Sequence, residues 1–223
     1  MRADADFYLG RLYPMQDRVL ARLAPIEAGF YLTGGTAASR GYLHHRFSDD
    51  LDFFVNDDDR FPLWAQRVVQ ALARSDHDWY VEVAHQEARF VWLTVTEADL
   101  VLKIEMVNDV PAHVGAFTRH PVLGLLDSAE NILANKLTAI VDRKEPRDFA
   151  DIWGFCCRLG LSCEAALEGA RSKAAGLFPA DLARVLLSVT KDDWQLVRWH
   201  DAPASERFID DLKTLAERLL LLP

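Results

Sequence analysis

Cysteine is scarce in this chain, and that scarcity removes one class of fold. There are 3 cysteines in 223 residues, Cys156, Cys157 and Cys163, an odd number crowded into one stretch. They cannot supply a disulfide framework, and they read as small core or surface residues of a reducing cytosol. Cys156 and Cys157 are adjacent, so they lack the two-residue spacing of a zinc knuckle. Long apolar runs are missing as well. No stretch approaches the ~18 residues needed to cross a bilayer, and the opening MRADADFYLGRLYPMQ lacks the apolar core of a secretory signal. These absences predict a cytoplasmic protein with no membrane partner. Positive charge is in deficit: 25 Lys and Arg stand against 34 Asp and Glu, for a net charge of −9. That excludes a general nucleic-acid coat protein, which needs a broad basic face, but it leaves room for a local basic cleft. Repeats and low-complexity linkers are also lacking. What remains, 50% hydrophobic and 26% charged, is ordinary for a folded protein large enough to bury a core.

The pattern along the chain changes once. The first ~28 residues read as helix, with Leu9, Leu12, Met15, Val19, Leu20 and Leu23 at helical spacing. Gly29–Thr33 reads as a short strand ended by Gly34-Gly35, and 36–43 as a short helix opening at Thr36. Leu51–Val55 is a strand of branched and aromatic residues. Phe61–Ala73 reads as a helix with Pro62 in its first turn. Trp79–Ala84, Arg89–Thr96 and Leu100–Val107, separated by short polar breaks, predict an antiparallel meander. Pro111–Leu126 has no clear period. From Ser128 onward the chain reads as helix: a run to Val141 opened by an Asp127–Glu130 capping box, then 147–159, 162–175, 179–188, 191–199 and 204–221. The expectation is an α+β fold, with a mixed-sheet domain over 1–126 and a helical domain over 127–223.

Chemistry concentrates where the first strands end. Gly34 and Gly35 permit a tight turn, and Thr36 opens a helix whose free amides and hydroxyl suit a phosphate. Asp50-Leu51-Asp52 then begins the next strand. Residues two apart share a strand face, so Asp50 and Asp52 project together while Leu51, Phe53 and Val55 enter the core. Two half-buried carboxylates repel each other, and a divalent cation relieves them. Magnesium suits because it takes oxygen ligands and leaves places for substrate phosphates. In Val101–Val107, Leu102, Ile104 and Met106 fill one face and leave Glu105 on the other, a candidate third ligand for a two-metal site. The plainer readings are solvated turn acids for Asp50 and Asp52 and a strand residue paired with Lys103 for Glu105. Asp49 falls opposite the pair or in the turn. Asp57-Asp58-Asp59 reads as solvated loop, and adjacent His44 and His45 diverge and read as loop or surface groups. Trp92, Trp153 and Phe155 read as core rather than as base-stacking platforms.

Gly34-Gly35-Thr36 followed by Arg46-x-Ser48-x-Asp50-Leu51-Asp52 resembles the DNA polymerase beta-like nucleotidyltransferase superfamily. With Lys136, Arg143 and Arg147-Asp148-x-x-Asp151 added in the same order, the pattern over about 30 to 155 resembles its AbiEii toxin branch, which includes the MenT-like toxins. Thr36 stands where the superfamily usually has serine. The resemblance implies transfer of a nucleotidyl group from a nucleoside triphosphate to an acceptor hydroxyl, with Asp50, Asp52 and Glu105 holding two Mg2+ ions. It implies that Gly34, Gly35, Thr36, Arg46, Ser48, Lys136 and Arg143 bind the nucleotide. Asp148 would act as a base or as an organiser of Lys136 and Arg143, and Asp151 is either functional or structural. Lys136 and Arg143, seven apart, lie on one helix face, which a solvated stripe would also satisfy. The acceptor implied is tRNA or a protein side chain, and the role implied is the toxin of a toxin–antitoxin or phage-defence pair, restrained by an antitoxin. A small-molecule nucleotidyltransferase of the antibiotic-modifying kind and a non-catalytic nucleotide-binding relative are the alternatives.

Overall fold

A computed structural model describes residues 2–74, 78–173 and 176–222. The chain divides into two compact units. The first holds the residues up to Gly41 with Ser48–Pro111 and Phe117–Asp127; the second holds Tyr42–Phe47, Ala112–Ala116 and the chain from Ser128.

The first unit is built on a mixed sheet of seven strands. They are β1 (Tyr31–Thr33), β2 (Leu51–Asn56), β3 (Tyr80–Gln86), β4 (Phe90–Glu97), β5 (Leu100–Asp109), β6 (Thr118–His120) and β7 (Gly124–Leu126), in the order β3-β4-β5-β2-β1-β7-β6. The meander β3-β4-β5 is antiparallel, as its short connections require. β2 lies parallel to β5 and antiparallel to β1. Alternation sets the layers: Leu51, Phe53 and Val55, then Val91, Leu93 and Val95, then Leu102, Ile104 and Met106 are all buried. Each such side chain contributes roughly 1.5–3 kcal/mol of burial. The N-terminal helix runs as α1 (Arg2–Phe7), a π-helical stretch (Tyr8–Leu12) and α2 (Tyr13–Leu23), and buries Tyr8, Leu12, Met15 and Val19. After β1 comes a single turn, α3 (Gly34–Thr36), which continues as a π-helical stretch, Ala37–Leu43. This helix starts at Gly34, two residues before the expected Thr36. α4 (Phe61–Ala73) carries Pro62 in its first turn and buries Phe61, Trp64, Val68 and Leu72.

Between Pro111 and Leu126, where no period was legible, the short hairpin β6-β7 appears. Its turn is held by His120 Nδ1, which accepts the amides of Val122 and Leu123 at 3.2 and 3.1 Å. Asp127 is not the helix cap. It is fully buried, and its carboxylate accepts the Thr33 hydroxyl at 2.6 Å. Ser128 caps the following helix instead, accepting the Asn131 amide at 3.0 Å. The reason is register: Asp127 also donates its amide to the Leu32 carbonyl at 2.9 Å, extending the β1–β7 pairing past its last strand residue.

The second unit is helical: α5 (Ala129–Arg143), α6 (Pro146–Trp153) continued by a π-helical stretch Gly154–Arg158, α7 (Cys163–Arg171), α8 (Pro179–Leu187), α9 (Lys191–Leu196) and α10 (Ser205–Leu220). Lys144 ends α5 in the left-handed region at φ 46°. Pro146 opens α6, where its missing amide costs nothing. The last residues of the helix expected over 162–175, Ala174 and Ala175, lie outside the described residues. The core gathers Leu133, Leu137, Phe149, Leu167, Leu182, Phe208 and Leu212. Trp153, Trp199 and Phe208 pack edge to face, with centroids 5.5–6.2 Å apart. All three cysteines are free, and Cys163 is buried. Among the described residues no helix is long and apolar enough to cross a membrane.

Candidate active site

In the first unit the acidic residues come together through strand register. Asp52 on β2 is the direct partner of Glu105 on β5. Both are half-buried on the face opposite the core, because Leu51, Phe53, Ile104 and Met106 take the other side. Lys103 sits on the same face of β5. Its ammonium is 2.6 Å from Glu105 Oε1. Partial burial works against the charge of Lys103, but Glu105, Asp50 and Asp52 together raise its pKa. Among the described residues, no group of three or more His, Cys, Asp or Glu side chains is arranged to hold a metal ion. The donor set nonetheless fits magnesium in kind: the candidate donors are carboxylate oxygens, Asp52 and Glu105 on one sheet face and Asp50 in the loop just before β2.

Gly34 shapes this site. It sits at φ 66°, and a Cβ built there would lie 2.0 Å from Asp52 Oδ2. Glycine is required twice, for the left-handed backbone and for the room the carboxylate occupies. Gly34→Ala should therefore push Asp52 aside. We expect a loss of transfer activity of about a hundredfold or more, with destabilisation of only about 1–2 kcal/mol from the backbone. Activity within twofold of wild type in a folded variant would show that the carboxylate has other room.

The loop before β2 is clamped from the N-terminal helix. Gln16 Nε2 donates to the carbonyls of Asp49 at 2.9 Å and Ser48 at 3.3 Å, and the Ser48 amide donates to Tyr13 Oη at 3.2 Å. Tyr8 Oη donates to Asp49 Oδ1 at 2.5 Å, which turns Asp49 toward the helix. Thr36 is fully buried, and its hydroxyl donates to the Asp50 carbonyl at 2.5 Å, so it fixes the backbone that carries Asp50. Sequence reasoning missed Gln16, whose signal was a polar side chain inside the apolar stripe of α2. It also missed Lys103 as a partner of the whole acidic cluster. Trp92, expected in the core, is 37% exposed on the face shared with Glu105.

The second unit encloses a separate charged network. Asp151 is fully buried. It accepts Arg46 Nε and Nη2 at 2.7 Å each, lies 2.7 Å from Lys136 Nζ, and faces His45 Nε2 at 3.1 Å. Asp148, also fully buried, takes Lys136 Nζ at 2.8 Å and holds Arg143 through Nε at 2.8 Å and Nη2 at 3.0 Å. Lys136 is thus gripped between two carboxylates and 6% exposed, whereas the Arg143 side chain is 43% exposed. Burial alone would raise Asp148, but the Lys136 charge and the bonds from Arg143 and Lys136 hold it below the usual carboxylate range. Burial opposes ionisation of Asp151 too, and Arg46 and Lys136 overcome it, leaving the group well below that range.

His45 was expected in a loop or at the surface; it lies in a loop and is fully buried. The divergence of adjacent side chains forbids a His44–His45 metal pair, but it does not forbid burying one of them. His44 turns outward at φ 49°, while the His45 carbonyl is pinned by the amides of His200 and Asp201 at 2.9 and 3.0 Å. Ionised Asp151 can only accept, so His45 donates from Nε2. Its Nδ1 has no partner among the described residues. Burial pushes its pKa down, against the pull of Asp151. The sign follows. The folded pKa of His45 is depressed, so the unfolded chain takes the proton first, below roughly pH 6.5. Stability from this group is complete above that pH and is lost as pH falls through the folded value. Asp148 and Asp151 add a second loss, beginning only below roughly pH 4 to 5. We expect thermal midpoints to decline in two limbs on acidification, and His45→Gln, which can still donate to Asp151, to flatten the upper one. Identical profiles for wild type and His45→Gln between pH 7 and 5 would show that His45 is not held neutral.

Against this geometry the comparisons with known proteins are informative. The model of the family described as "Nucleotidyl transferase AbiEii toxin, Type IV TA system" matches residues 18–196. A Helicobacter pylori protein crystallised as a candidate nucleotidyltransferase shares the fold, with a TM-score of 0.63 and 20% identity, covering 95% of this chain and 93% of that one. JHP933, also from Helicobacter pylori, gives 0.60 and 20%, covering 95% and 90%. MenT4, a nucleotidyltransferase toxin from Mycobacterium tuberculosis H37Rv, gives 0.61 and 20%, covering 100% and 90%. No curated protein sequence matches the chain. At such identities the solved structures speak for the fold, while the family match spans most of the sequence and includes every motif described above from the Gly34-Gly35 turn to Asp151: the chain belongs to the AbiEii nucleotidyltransferase toxin family.

Proposed function

We propose that this nucleotidyltransferase is magnesium-dependent and moves a nucleotidyl group from a nucleoside triphosphate to a hydroxyl of tRNA or of a protein side chain. On this reading it is the toxin of a bacterial toxin–antitoxin or phage-defence pair, restrained by an antitoxin. The observation that carries the proposal is the register pairing of Asp52 with Glu105, with Asp52 lying where only a glycine at position 34 leaves it room. Asp50, Asp52 and Glu105 would hold two Mg2+ ions, which when bound supply charge stabilisation at the transferred phosphorus and the leaving pyrophosphate. Glu105 readies the attacking hydroxyl. The amides of Gly34 and Gly35 meet the phosphates. Thr36 and Ser48 hold the loop that carries Asp50. By the family resemblance Lys136 and Arg143 serve the nucleotide phosphates: Arg143, whose side chain is 43% exposed, presents the fork, and Lys136, buried between Asp148 and Asp151, holds those two acids in place. Asp148 is their organiser, and Arg46 serves by fixing Asp151.

The acceptor is open to direct test. The purified protein is incubated with magnesium, each α-labelled nucleoside triphosphate in turn, and total bacterial RNA. Label in RNA supports the tRNA acceptor, and label in protein supports the side-chain acceptor. Label in neither, with transfer to added small aminated sugars instead, would replace both with a small-molecule acceptor, which the net charge of −9 favours over an RNA.

A further inference from the structure

One aromatic ring beside the carboxylates is used by neither the core nor the proposed metal set. Trp92 on β4 is the direct partner of Glu105, which is the direct partner of Asp52. The three side chains form one row on one face of the sheet, with strands about 4.8 Å apart. The strand that carries Trp92 therefore lies about 10 Å from the strand that carries Asp52, measured along the hydrogen-bonding direction. Its strand neighbours Val91 and Leu93 are 2% and 0% exposed, whereas Trp92 is 37% exposed. Lys103 Nζ lies 5.3 Å from the ring centre and 2.6 Å from Glu105 Oε1, so ring and carboxylate share one ammonium. A solitary exposed aromatic is common on protein surfaces and means nothing by itself. This one is tied through a single cation to the residue proposed to ready the attacking oxygen.

We propose that Trp92 is the stacking platform for a nucleobase of the substrate, either the base of the nucleoside triphosphate or the base next to the attacking hydroxyl of an RNA acceptor. The inference rests on the transfer reading above and deepens it. Every base presents a π-face, so an indole accepts any of them without reading sequence. Two strand spacings are a distance a nucleotide bridges between its phosphate and its base. The Lys103 ammonium, shared by the ring and Glu105, ties the indole to the carboxylate face.

The test uses the full chain with Trp92→Leu, which keeps an apolar side chain, and Trp92→Phe, which keeps a ring. Binding is measured by calorimetry for each nucleoside triphosphate with magnesium, and by fluorescence anisotropy for a labelled single-stranded oligoribonucleotide. Trp92→Leu should weaken one of these probes about tenfold or more, and Trp92→Phe should recover most of that loss. The Michaelis constant for the affected substrate should rise by a similar factor while the turnover number changes little. Loss confined to the triphosphates assigns the platform to their base, and loss confined to the oligoribonucleotide assigns it to the acceptor. Wild-type binding of both probes by a folded Trp92→Leu protein would overturn the platform, as would a wild type that binds neither. Transfer is scored separately. If the wild type moves no label but Trp92→Leu still loses binding, the transfer reading fails and the platform stands.

Discussion

Asp52→Ala should leave a folded protein that neither transfers nucleotide nor slows growth. Expression of the wild-type chain without a restraining partner is expected to arrest growth, and the variant is expected to be harmless. Transfer by the purified variant should fall about a thousandfold or more, because the change removes charge aimed at the transferred phosphoryl group and one proposed metal ligand. The fold should tolerate the loss. Asp52 is half-buried among other carboxylates, and removing one of several like charges relieves repulsion. Its side chain also lies against Gly34, where the truncation opens space rather than closing it. Circular dichroism and thermal melting should therefore match the wild type. A folded Asp52→Ala protein that still arrests growth would remove the carboxylate chemistry from the explanation of toxicity.

The largest effect on stability should come from Asp151. Its carboxylate is the shared counter-charge of Arg46 and Lys136 and the acceptor for His45, all of them buried. Asp151→Leu strands the buried Arg46 and leaves Lys136 with Asp148 alone, and breaking a buried pair by removing one partner costs about 3–5 kcal/mol. Asp151→Asn keeps the shape and some hydrogen bonding and should cost less. Asp148→Asn should also cost less, because the Arg143 side chain opposite it is 43% exposed and can turn to water. Urea denaturation of the three variants gives the order directly. A loss below about 1 kcal/mol for Asp151→Leu would mean that Arg46 and Lys136 find other partners and that the network does not hold the second unit together.

How much of this was legible in the sequence depended on range. Period-two alternation placed Leu51, Phe53 and Val55, and Leu102, Ile104 and Met106, on the core side, and so put Asp52 and Glu105 on the other. It could not say that β2 and β5 are neighbours, because a parallel pairing across ~50 residues leaves no local trace. The same alternation could have placed Trp92 correctly, since Val91, Leu93 and Val95 are the inward set. The error came from weighting indole hydrophobicity over position. β6 and β7 have three residues each, too few for any period to show. The cap at Ser128 was misplaced by one residue because Asp127 is an equally good capping residue by type, and a tertiary bond to Thr33 decided between them. His45 and Asp151 could not be paired from sequence, since 106 positions separate them and the motif that contains Asp151 does not include His45. The acidic focus was legible because Gly34-Gly35 and Asp50-Leu51-Asp52 are local. The grip of Asp148 and Asp151 on Lys136 was not, because it depends on how α5 and α6 pack.

If the nucleotidyl group moves, pyrophosphate is the leaving group. The protein is presented with the same nucleoside triphosphate labelled at the α- or the γ-phosphorus, with magnesium and the acceptor in excess. α-Label should enter the acceptor, γ-label should leave as pyrophosphate in equal amount, and chelating the magnesium should stop both. γ-Label entering the acceptor would contradict nucleotidyl transfer by making the reaction a phosphoryl transfer, and transfer that persists undiminished in chelator would remove the metal from the role given to Asp50, Asp52 and Glu105.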